Sequence, residues 1–186
     1  ALEQGIYPHV PGDGRERVVC DAGAVKIRAR DGRPIHTLDL SPFFQNLPFG
    51  LEASRFSSNN ASGSTSQAAS LLESLLGGAR VLLLDEDSSA ANLLYRDEGM
   101  RRLTPARREP IIPLSERVQG LVSSGVSVIL AMGGNSAFLR QADRVLGLDE
   151  GRVLDETDRA RSVCSRDAGC EEALRSEEHT SELQSH

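Results

Sequence analysis

The sequence predicts an α/β fold with a mainly parallel core sheet flanked by helices, and three observations carry that expectation. The runs "VLLL" at Val81–Leu84 and "VSVILAM" at Val126–Met132 are apolar without alternation, the pattern of strands buried on both faces. Each follows a stretch with helical spacing, so helices and strands alternate along the chain. No internal repeat interrupts this order, and no second domain is indicated.

Taken in order, "ALEQGIY" has the character of the last turns of a helix, stopped by Pro8 and a Pro11–Gly14 turn. Arg17–Cys20 and Ala24–Ala29 carry β-branched residues suited to short strands. An Asp-Gly turn within Arg30–Arg33 then offers "PIHTLDL" as a return strand. From Ser41 to Ser62 periodicity is weak, and so long a loop is often functional. A helix is expected over Thr65–Leu76, with Ala68, Leu71, Leu72, Leu75 and Leu76 on its apolar face and Gly77–Gly78 as its stop. Further helices are expected over Leu93–Leu103 and Pro113–Ser123. Two short strands around a Glu-Gly turn in "DRVLGLDEGRVLDE" end the ordered part.

Bulk properties narrow the function. With 186 residues the chain fits one domain with a sizeable core. A net charge of −6 argues against a globally basic nucleic-acid module, and no apolar run reaches the roughly 18 residues that span a bilayer. Cys20, Cys164 and Cys170 are too scattered for a zinc knuckle. They suit free thiols in a reducing, cytoplasmic compartment better than a Cys164–Cys170 disulfide. His9 and His36 are isolated and suit surface or packing roles.

The chemistry concentrates between Ser62 and Asn92. A buried parallel strand ends in the crevice where α/β proteins bind ligands, and here it delivers Asp85, then Glu86. Asp85 is placed to reach a metal ion, and Glu86 is aimed differently, as a base acting on water is. A solvated acidic turn capping the next helix accounts for the same residues. Upstream, Ser62, Gly63, Ser64 and Thr65 form a small turn at a helix start. Its amides, hydroxyls and helix dipole favour a phosphate. A flexible linker with an N-cap is the alternative there.

In order and spacing, "NASGSTSQAASLLESLLGGARVLLLDED" resembles the signature–helix–Walker B segment of ABC-type ATPases. Ser62 and Gly63 match the family's Ser-Gly, while Ser64 stands for its second glycine and Thr65 for its glutamine. The blocks "AVKIRARDGRPI", "SPFFQNLPFG", "RFSSNNASGSTSQAAS", "LLLDEDSSAANLLYRDEGM" and "VSVILAMGGNSAFLRQADRVL" are similar to the smaller family named predicted ATPases of the ABC class, over residues 1–162.

The resemblance implies ATP binding and hydrolysis with Mg2+. Asp85 and, in a loose match, Gln45 would serve the metal, and Glu86 the catalysis. Residues 62–65 would contact nucleotide, as would Ser89 and Asn92 of the D-loop position Ser88–Asn92. It further implies paired sites, in a homodimer or by internal pairing, because each nucleotide sits between one phosphate loop and an opposing signature turn.

Several features depart from the pattern. Asp87 replaces the proline usual after the glutamate, and "AMGGNS" stands where ABC domains carry a switch histidine, leaving Gly133–Ser136 to supply backbone contacts. No GxxxxGK[ST] phosphate loop occurs. Truncation just before Ala1 is the expected reason. Residues 163–174 form a poorly defined tail, and residues 175–186, "RSEEHTSELQSH", resemble translated sequencing adaptor and are expected to be disordered. A nucleic-acid clamp is the second reading, drawn from Arg96, Arg101, Arg102, Arg107 and Arg108. Interruption by Asp97, Glu98 and Glu109 suits a solvated helix face better. A noncatalytic interaction domain is the third.

Overall fold

The structure, a computed structural model, describes residues 11–12, 18–104 and 108–165. Its elements are β1 (Ala24–Ile27), β2 (Arg33–Leu38), β3 (Phe56–Ala61), α1 (Gly63–Leu76), β4 (Val81–Asp85), α2 (Ala91–Leu94), α3 (Glu98–Leu103), α4 (Leu114–Ser123), β5 (Ser127–Ala131), β6 (Leu146–Asp149) and β7 (Arg152–Asp155). A last helix, α5, covers residues 157–165. The chain divides into two compact units, residues 1–135 and 136–186.

In the first unit β1, β4 and β5 form a parallel sheet in the order β1-β4-β5, the α/β core the sequence predicts. The central strand is the most apolar. Leu82, Leu83 and Leu84 are buried, and full burial of such a side chain contributes about 1.5–3 kcal/mol. The helices that precede β4 and β5 end alike. Gly78 (φ 85°) donates to Leu75 O and Ala79 to Ser74 O after α1; Gly125 (φ 90°) donates to Val122 O and Val126 to Leu121 O after α4. These paired bonds satisfy the last helical carbonyls, and the left-handed residue at each centre favours glycine.

Several expectations are corrected. Residues 18–20 form no strand. "PIHTLDL" does not return along β1; β2 pairs antiparallel with β3, which forms inside the stretch expected to be a loop. The helix expected over Leu93–Leu103 is two short helices, because the Asp97 side chain accepts from the Met100 amide and caps a new start. α1 begins at Gly63, and its buried face is Ser64, Ser66, Gln67, Ala68, Ala69 and Leu71, whereas Leu76 is 80% exposed. β5 has the apolar sequence of a buried strand, yet among the described residues it pairs only with β4, and Ile129 is 45% exposed. The expected helix ending at Tyr7, Arg17 and Arg107 lie outside the described residues.

In the second unit, β6 and β7 form a hairpin through Glu150 (φ 44°) and Gly151 (φ 80°), both left-handed as a tight two-residue turn requires. Arg144 binds Asp155, and α5 buries Ala160 and Cys164. Cys20 and Cys164 are free thiols; Cys170 lies outside the described residues. No helix among the described residues is long and apolar enough to cross a membrane.

Candidate functional site

The register of the parallel sheet builds the site. Asp85 lies opposite Ala131 at the ends of β4 and β5, so the residues that follow the two strands emerge side by side. Glu86 opens a short 3-10 turn, Glu86–Ser88, and its carboxylate meets the turn after β5. Oε2 accepts from the Gly133 and Gly134 amides, both at 2.9 Å, and Oε1 accepts from Asn135 Nδ2 at 2.7 Å. A Cβ on Gly134 would lie 3.1 Å from Oε1, so a side chain there would require the carboxylate to give by a few tenths of an ångström. The Gly133 amide, then the Gly134 amide and the Asn135 side chain, hold the Glu86 carboxyl below the ordinary glutamate range against a smaller opposing effect of burial. Asp85 is half-buried and accepts a long bond, 3.3 Å, from the Asp87 amide.

The serine turn forms the second part. Ser62 caps α1, its Oγ accepting from the Thr65 amide at 3.4 Å and pairing with Thr65 Oγ1 at 2.8 Å and Ser64 Oγ at 3.3 Å. Gly63 packs against the segment after β1, where a Cβ would lie 3.1 Å from Asp31 Oδ1. Buried Ser66 takes the Arg30 amide at 2.8 Å and donates to Gly63 O. Ala29 N–H reaches Ser88 O at 3.0 Å, which links the same segment to the acidic turn.

Gln67 joins the two parts directly. It is fully buried; its Nε2 donates to Ser89 Oγ at 2.8 Å and its Oε1 accepts from Ala90 N–H at 2.7 Å. Both ends of the amide are thereby satisfied, as burial demands. Sequence reasoning missed Gln67, Ser66 and the side chain of Asn135. A glutamine among small residues on a helix face was the available signal for the first.

Thus Ser62, Gly63, Ser64, Thr65 and Ser89 fall in one bonded network that leads to Ser88 and Glu86. Asn92 is exposed on α2. Gln45 is exposed in a turn tied to residues 110–112, through its own amide to Pro110 O and the Phe44–Ile111 bridge. Arg96 is spent internally, on Met100 O, Thr104 O and Glu109, and Arg101 pairs with Glu116 at 2.8 Å. That use takes two members from the arginine cluster of the nucleic-acid reading.

A parallel sheet delivering a fixed carboxylate beside a helix N-terminal turn is an arrangement that phosphate-handling α/β domains employ. The family model described as the P-loop domain of ABC_ATPase matches residues 1–185. The chain belongs to this ABC-ATPase P-loop family. An uncharacterized protein of Methanocaldococcus jannaschii is 29% identical over 146 residues, which is 75% of this chain and 32% of that relative. The chain therefore spans about a third of the length of the curated relative it matches.

Proposed function

We propose that the protein to which this chain contributes binds ATP with magnesium and hydrolyses it, and that residues 62–92 carry the signature turn, Walker B strand and D-loop of that site. The observation that supports this best is the Glu86 carboxylate, fixed at the C-terminal end of the central strand by three donors. Asp85 fits a magnesium role, since that ion is commonly bound through one or two carboxylates together with substrate phosphates. No group of three or more acidic, His or Cys residues among the described residues offers a complete cage. When bound, magnesium neutralises charge developing on the phosphates.

Glu86 orients a water whose oxygen bonds to the γ-phosphorus. The bond from phosphorus to the β–γ bridging oxygen breaks, its electron pair leaves with ADP, and the water's proton passes through Glu86 Oε1 to the product phosphate. The Ser62–Thr65 turn presents hydroxyls and amides to the γ-phosphate of a nucleotide held by an opposing domain, in a homodimer or by internal pairing. The phosphate-cradling loop, absent from these 186 residues, we assign to a further parallel strand on the edge of β5 that is open among the described residues. A strand there delivers its own following loop to the end of the sheet where Glu86 lies.

Glu86→Gln in the full-length protein tests this reading. Nucleotide affinity is retained while kcat falls about 10²- to 10⁴-fold, the usual contribution of a positioned base. Undiminished turnover overturns the assignment, and failure of the full-length protein to bind nucleotide favours a noncatalytic interaction domain.

A further inference from the structure

We infer that Asn135 is a positioning residue for Glu86, forming with the Gly133 and Gly134 amides a clasp that fixes the carboxylate and leaves one lone pair of Oε1 for a water. This inference rests on the reading of Glu86 given above. A carboxylate offers about four acceptor positions, two on each oxygen. The two backbone amides occupy those of Oε2, and Asn135 takes one of Oε1. The remaining position is held in a set direction by groups on a neighbouring strand's turn.

Burial does not force this arrangement. The Gly133 and Gly134 bonds are exposed, so these amides have water as an alternative partner, and Glu86 itself is half-exposed. Satisfying buried groups is therefore not their purpose, and their specific consequence is orientation. The backbone is shaped for the contact as well, because Gly134 admits Oε1 at a distance a side chain would contest. Asn135 lies 49 residues from Glu86 in sequence, and the Asp85–Ala131 register is what brings them together. Phosphoryl transfer relies mainly on positioning and electrostatics, so a fixed acceptor has direct value there.

The test uses the full-length protein, a fluorescent ATP analogue for affinity, and single-turnover hydrolysis. Asn135→Ala should lower kcat about 10- to 100-fold, in line with the loss of one charge-assisted bond, while analogue Kd stays within about two-fold. Asn135→Asp keeps the shape, removes the donor and adds repulsion, so it should fall at least as far; it carries the test if the alanine variant fails to fold. In a Glu86→Gln background, Asn135→Ala should change the residual rate by less than about two-fold, because the two residues act as one unit. Unchanged kcat in Asn135→Ala, an equal loss in both backgrounds, or a matching loss of affinity each overturns the inference. If Glu86→Gln itself turns over normally, the reading of Glu86 fails first, and the two failures are distinguishable.

Discussion

At the scale of single residues, Glu86 shows how neighbours far away in sequence decide what a side chain does. Its lowered pKa carries a stability consequence with a definite sign. A carboxyl whose folded pKa lies below its unfolded value stabilises the fold above the unfolded value, and that contribution is lost as pH falls through the folded one. The gain should be fully present above the ordinary glutamate value of about 4.3 and fade below it. Urea midpoints of the isolated chain, measured from neutral to acidic pH, should therefore fall less steeply for Glu86→Gln than for the parent. Identical slopes would show that the clasp does not bind the ionised form preferentially. The acidic residue itself was evident in the sequence, as an apolar strand running into carboxylates. Its partners were less so: "GGNS" indicates a close backbone approach but names no target, and only the pairing of β4 with β5 supplies one.

At the scale of elements, the bridge from α1 to the segment after β4 rests on one amide. Gln67→Leu keeps approximate size but leaves the partly buried Ala90 N–H and Ser89 hydroxyl without their partner, a loss of about 1 kcal/mol. Chemical denaturation of the chain reads that directly, and a variant as stable as the parent would mean that water replaces the amide. The elements also show where local reasoning stops. α1 and β4 declare themselves through helical spacing, a Gly-Gly stop and four apolar residues. β3 does not, since "FSSNNA" is polar and poor in β-formers; it is a strand because β2 pairs with it. The break between α2 and α3 turns on Asp97 choosing the Met100 amide, a competition between cap and helix that apolar periodicity does not register.

At the scale of the whole molecule, the sheet order decides which strand is left open. β4 has a neighbour on each side, whereas β5 among the described residues has β4 alone, with Ile129 outward at 45% exposure. The continuous apolar sequence of β5 suggested burial on both faces, and its composition is that of an interior strand. A strand of that character, with one edge that meets no other strand among the described residues, is a template for another chain. In the test tube, the isolated chain should therefore self-associate as its concentration rises, in spite of its net charge of −6. Light scattering should show that growth, and Ile129→Lys should suppress it by placing a charge on the edge. A monodisperse monomer at all concentrations would count against it. The handling of this protein at the bench is thus set by the same edge that, in the intact protein, we expect a further strand to fill.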